Sequence, residues 1–112
     1  MQSNKENVQD LISILVQKGL QHVVISPGSR NAPISYSFYH HPEVKTYSIP
    51  DERVAAYFAL GMSQYLQAPV AVVCTSGTAA YNYGPAVAEA FFQKTPLIVL
   101  SADRPEEWIV QG

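Results

Sequence analysis

Apolar residues recur at helical spacing near the start of the chain: Val8, Leu11, Ile12, Leu15 and Val16, with polar side chains between them and Gly19 behind them. That spacing predicts an amphipathic helix over residues 5–18, capped by Asn4 or Asn7. The period then changes. His22-Val23-Val24-Ile25 is a short β-branched run closed by Ser26-Pro27-Gly28, the pattern of a buried strand entering a loop. Residues 31–40 predict a helix stopped by Pro42, and residues 44–49 a weakly alternating strand. Pro50-Asp51 breaks that strand, and Asp51 stands where a cap is needed for a helix from Glu52 to about Leu66. Residues 70–74 predict a third strand, 79–92 a long Ala-rich and aromatic helix kinked at Gly84-Pro85, and 97–100 a fourth strand.

Helix and strand signals thus alternate with short connections, which predicts an α/β fold: a parallel sheet with helices on both faces. Two helices depart from the usual single apolar stripe. Around Val54, Ala55, Ala56, Tyr57, Phe58, Ala59, Leu60, Gly61 and Met62 the helix is apolar on all sides, and residues 79–92 repeat this. Composition sharpens the point, since only 14% of the 112 residues are charged, against about 25% in ordinary soluble domains. Much of this surface is therefore expected to be covered by something else.

Length allows one core and no more. The formal charge of −2 offers no basic field for nucleic acid. The single Cys74 rules out an intrachain disulfide, the first seven residues carry no apolar signal segment, and Pro27, Pro69, Gly77 and Pro96 interrupt every apolar run. The reading is a cytoplasmic protein with no integral membrane segment.

Four loops follow the predicted strands: 26–30, 50–53, 75–78 and 101–105. In an open α/β sheet the ligand lies beyond the carboxyl ends of the strands, where strand order reverses. Ser26-Pro-Gly-Ser-Arg30 joins small residues, hydroxyls, helix-start amides and a guanidinium, a set suited to a carboxylate or phosphate. A plain strand-to-helix turn with a surface Arg fits it as well. Thr75-Ser-Gly-Thr78 reads either as a second ligand loop or as a simple helix cap. Glu52 opens a helix whose remaining surface is almost wholly apolar, so it serves the helix dipole or is buried for a purpose. Asp51 already holds the better capping position. Arg104, between Asp103 and Pro105, reads as a local ion pair or a ligand clamp, and Cys74 as a small core residue. A non-catalytic module binding a sugar phosphate is compatible with these loops.

Four strings, in this order, resemble one family: Ile25-Ser-Pro-Gly-Ser-Arg-Asn-Ala-Pro33, Asp51-Glu-Arg53 with Ala59-Leu-Gly61, Cys74-Thr-Ser-Gly-Thr-Ala79, and Ser101-Ala-Asp-Arg-Pro105. They are similar to the amino-terminal pyrimidine-binding domain of the 2-succinyl-5-enolpyruvyl-6-hydroxy-3-cyclohexene-1-carboxylate synthases, thiamine-diphosphate enzymes of menaquinone and phylloquinone biosynthesis. The first string is specific to that family; the glutamate and the Thr-Ser-Gly-Thr-Ala loop are shared with other thiamine-diphosphate carboligases, which stay as an alternative. The resemblance implies decarboxylation of 2-oxoglutarate and addition of the resulting succinyl carbanion to isochorismate, with thiamine diphosphate and Mg²⁺ as cofactors.

Residue by residue, it implies that Glu52 is catalytic and hydrogen-bonds the N1′ nitrogen of the aminopyrimidine. Pro27, Gly28 and Thr78 would line the pyrimidine pocket beside it. Ser29, Arg30 and Arg104 would face the substrates, and planar guanidinium forks suit the two carboxylates of isochorismate. No metal ligand falls in this chain. The family's central and diphosphate-binding domains are absent, so residues 1–112 correspond to the amino-terminal part of the pyrimidine domain, truncated to about four of six strands. The resemblance also implies a homo-oligomer, dimer or tetramer, with each site shared between subunits, and an inactive fragment.

Overall fold

The structure, a computed structural model, describes residues 6–102. Its elements are helix α1 (Glu6–Gln17), strand β1 (His22–Ile25), α2 (Ala32–Tyr39), β2 (Lys45–Ser48), α3 (Glu52–Leu66), β3 (Val70–Cys74), α4 (Thr78–Tyr81), α5 (Gly84–Gln93) and β4 (Leu97–Ser101). The strands form one parallel sheet in the order β2-β1-β3-β4. This is the predicted α/β class, with its helices on both faces.

The two-residue period of the strands divides the core in two. Val24, Val70, Val72 and Cys74 face α3 and α5, where they meet Ala55, Ala56, Ala59 and Ala86. Val23, Ile25, Ala71 and Val73 face the other way, against Ile12 of α1 and Phe38 of α2. β3 is buried along its whole length, as its unbroken apolar run requires of a central parallel strand.

Helix α3 opens as the sequence predicts. The Asp51 side chain accepts from the Val54 backbone N–H at 3.1 Å, closing the cap. The helix buries mostly small residues and exposes most of its large ones: Ala55, Ala56, Ala59 and Ser63 face inward together with Leu60, while Val54, Tyr57, Phe58 and Tyr65 lie exposed. On α5 the same arrangement leaves Phe91 76% and Phe92 77% exposed. The apolar-all-round reading of these helices is thus met by a close-approach face of alanines and an outer face of aromatics.

Two sequence expectations need correction. The helix over 79–92 is two helices, because Pro85 has no N–H to give and its ring crowds the carbonyl of Tyr81, where α4 ends. Pro85 therefore stands in the first turn of α5 and starts a helix instead of kinking one. The two-residue break turns Tyr83 inward, to 1% exposure. Asn7 lies inside α1 and so does not cap it; Asn4, the other candidate, lies outside the described residues.

The alanine face sets a tight clearance between α3 and the sheet. Ala56→Leu is expected to lower stability by about 1–3 kcal/mol through overpacking, read as an earlier urea midpoint at unchanged slope.

Candidate functional site

The chain leaves β1 for β2 on one side and later returns to place β3 on the other, so strand order reverses between β1 and β3. The loops beyond those two strands flank the crevice that such a reversal opens. Ser26 ties the crevice together. Its backbone N–H donates to the Val73 carbonyl at 2.9 Å, and its hydroxyl donates to the Ile49 carbonyl at 2.7 Å. The Ile49 N–H in turn donates to the Ile25 carbonyl at 2.9 Å. The ends of β1, β2 and β3 are thereby locked edge to edge, with Ser26 fully buried between them.

Beyond Ser26 the loop folds back on itself. The Asn31 side-chain amide donates to the Ser26 carbonyl at 2.9 Å, and Asn31 is fully buried. Gly28 presses on the neighbouring loop: a Cβ there would lie 3.0 Å from the Thr75 Cβ and 3.3 Å from Asn31 Oδ1. Absence of a side chain at 28 is what lets the loops after β1 and β3 touch. Pro27 and Gly28 also line a shallow groove of about 270 Å³ with Ala32, Ser35, Tyr36 and Tyr39 of α2.

Glu52 is the first residue of α3, half-buried, one position after the cap that Asp51 provides. Its side chain is therefore not needed to close the helix end. Three and four residues on, Ala55 and Ala56 belong to the core cluster that holds Cys74 and Tyr83, so Glu52 shares the face of α3 turned to that cluster. Burial pushes the Cys74 thiol up from its ordinary range; Tyr83 offsets part of this and the Glu52 carboxylate adds to it. Burial likewise raises the Tyr83 phenol, helped by Cys74 and by Glu52, with Ser26 acting the other way. Glu52 and Ser26 are thus close enough to act on the buried Cys74–Tyr83 pair.

The remaining sequence candidates divide. Thr78 begins α4 with its side chain exposed, directly after Gly77 at φ 77°. Ser29 is exposed and Arg30 half-buried, both in the turn before α2. Arg104 lies outside the described residues. The structure thus brings Gly28 onto the loop leading to Thr78, and sets Glu52 over Cys74 and Tyr83. Among the described residues, no group of three or more His, Cys, Asp or Glu is placed to hold a metal ion.

Ser26 lies in the loop that the sequence already marks as a ligand candidate, whereas Asn31, inside the family string, and Tyr83 carry no such signal of their own. The signal for Tyr83 was Pro85, which forbids the helix that would have turned Tyr83 elsewhere.

Three features fit this crevice to a flat heterocycle: the side-chain-free approach at Gly28, a carboxylate spared from capping at Glu52, and unpartnered buried polar atoms at Asn31 Oδ1 and Tyr83 Oη.

Comparison with known proteins shows the family of the chain. Residues 6–112 match the family described as thiamine pyrophosphate enzyme, N-terminal TPP binding domain. Proteins named 2-succinyl-5-enolpyruvyl-6-hydroxy-3-cyclohexene-1-carboxylate synthase are similar to this chain. That of Christiangramia forsetii is 56% identical over 104 residues, covering 93% of this chain and 18% of its own. That of Bacteroides fragilis is 50% identical over 111 residues, covering 99% and 20%. The crystal structure of benzoylformate decarboxylase from Polynucleobacter necessarius superposes with a TM-score of 0.77 at 26% identity, covering 92% of this chain and 19% of that one. The chain spans about a fifth of the length of the relatives it matches.

Gly28→Ala is expected to destabilise the protein by about 1–3 kcal/mol, because Thr75 must give way. Thermal unfolding read by circular dichroism checks this.

Proposed function

Since this chain belongs to the N-terminal TPP-binding domain family of thiamine pyrophosphate enzymes, we propose that it supplies the pyrimidine-binding half of an active site in a 2-succinyl-5-enolpyruvyl-6-hydroxy-3-cyclohexene-1-carboxylate synthase. The complete enzyme would decarboxylate 2-oxoglutarate and transfer the succinyl unit to isochorismate, a carboligase step of menaquinone biosynthesis. What supports the synthase over other members is the 50–58% identity to proteins of that name.

The single observation that carries the catalytic reading is Glu52. It stands half-buried at the head of α3 with its capping duty taken by Asp51. Thiamine diphosphate, when bound, supplies the carbon nucleophile and the electron sink that a polypeptide lacks. The work of this chain is narrower. Glu52 would accept a hydrogen bond from the aminopyrimidine N1′ and hold the proton there, in a setting where partial burial strengthens that bond. Pro27, Gly28 and Thr78 would orient the ring, with Gly28 allowing its close approach. Ser29, Arg30 and Arg104 would meet substrate carboxylates, Arg through its planar fork.

Mg²⁺ and the diphosphate would be held by a second domain of a longer chain, in a homo-oligomer whose site is shared between subunits. Two observations bear on that arrangement: the exposed aromatic faces of α3 and α5, and the fifth of the relatives' length that this chain covers. A cytoplasmic location is part of the same proposal.

In the complete enzyme, Glu52→Gln is expected to cut the rate of 2-oxoglutarate decarboxylation by at least about 100-fold, measured by carbon dioxide release at saturating cofactor. Retention of the wild-type rate defeats the assignment. Residues 1–112 alone, given thiamine diphosphate and Mg²⁺, are expected to release no carbon dioxide from 2-oxoglutarate; turnover above the protein-free control would show that half a site suffices.

A further inference from the structure

Tyr83 is the one large ring among the fully buried members of a core cluster otherwise made of alanines, valines and Cys74, and it is 1% exposed. Its ring is well accommodated, yet its hydroxyl is not: among the described residues the Tyr83 oxygen has no hydrogen-bond partner. The Ser26 hydroxyl and the Cys74 thiol lie close enough to act on the phenol electrostatically, yet neither stands in hydrogen-bonding geometry to it; Ser26 gives its own proton to the Ile49 carbonyl at 2.7 Å, and the Cys74 sulfur is a weak acceptor. A phenylalanine would fill the same space without the unmet polar group, so the hydroxyl calls for a purpose.

One charged acceptor belongs to this face. Glu52 sits one helical turn before Ala55 and Ala56, which share a core cluster with Tyr83, and its charge is felt at both Tyr83 and Cys74. A carboxylate has two oxygens, and an aminopyrimidine N1′ occupies only one of them. The other is left for a donor of the protein itself, and Tyr83 carries an unpartnered buried hydroxyl within reach of the Glu52 charge.

We infer that Tyr83 is a positioning residue for Glu52: its unpaired hydroxyl is the donor that fixes the inner carboxylate oxygen while the outer oxygen engages the heterocycle. This rests on the assignment of Glu52 made above and extends it to a residue with no contact to cofactor or substrate. Cys74 has a supporting part, because a thiol at that position leaves the phenol without a strong competing acceptor. Hydrogen bonds of this kind are commonly long or unformed until the site is engaged, and tighten in the working complex.

The test is a double-mutant cycle on the complete enzyme, reading thiamine diphosphate dissociation constants by calorimetric titration in Mg²⁺ buffer, and thermal midpoints without cofactor. Tyr83→Phe is expected to weaken thiamine diphosphate binding about tenfold, the size of a lost hydrogen bond to a charged group. In a Glu52→Gln background the same change is expected to alter binding by less than about twofold, since the interaction it removes is already gone. The cofactor-free Tyr83→Phe protein is expected to melt at the same or a higher temperature, because an unmet buried hydroxyl has been removed. A hydroxyl with a merely structural role would move the melting temperature without this background dependence. Unchanged binding in Tyr83→Phe, or an equal loss in both backgrounds, overturns the inference while leaving Glu52 in place. Wild-type binding by Glu52→Gln itself overturns the assignment of Glu52 and this inference with it.

Discussion

The fold depends on how Ser26 terminates β1. A serine at a strand end is ordinarily a solvated turn residue, but here its backbone continues the ladder to β3 and its hydroxyl closes a bond to the segment after β2. One residue therefore holds three chain segments in register where they leave the sheet. The loops beyond it, including the one that delivers Glu52, start from fixed points. Precision at a site built on loops has to come from such anchoring, because loops have few contacts of their own.

The second determinant is the size of the residues between α3 and the sheet. Alanines at 55, 56 and 59 bring the helix close enough to seat its first turn over the ends of β1 and β3. Bulkier residues would lift the helix and carry Glu52 away from Ser26, Cys74 and Tyr83. The same economy of volume makes room for one large ring, and Tyr83 takes it. Packing and chemistry are therefore not separable here: the alanines that look like filler set the height of the carboxylate above the floor.

Much of this was legible in the residues themselves. The β-branched runs at 22–25 and 70–74, the Pro50-Asp51 break and the Asp51 cap located the sheet, the parallel connections and the head of α3, since each rests on local chemistry. The break at Asn82-Tyr83 was written in Pro85 as well, but a proline at the start of one helix and a proline bending another look alike in sequence. Less local facts were not legible. Strand order and the bond that ties Ser26 to Ile49, 23 residues on, depend on partners that no short window of the chain contains, and the isolation of the Tyr83 hydroxyl depends on how those segments come together. The motif containing Ser26 and Asn31 was recognisable, whereas the reason for its two buried polar members became visible only in three dimensions.

The inverted size gradient of α3 and α5, alanines inward and aromatics outward, also sets how the molecule answers its solvent. A charged exterior is screened by salt and indifferent to mild warming. Rings such as Tyr65, Phe91 and Phe92 behave oppositely: excluded salts like sulfate make water a poorer host for them, and cooling makes it a better one. The protein's handling in the laboratory is accordingly governed by the residues on its outside that resemble the core of other domains.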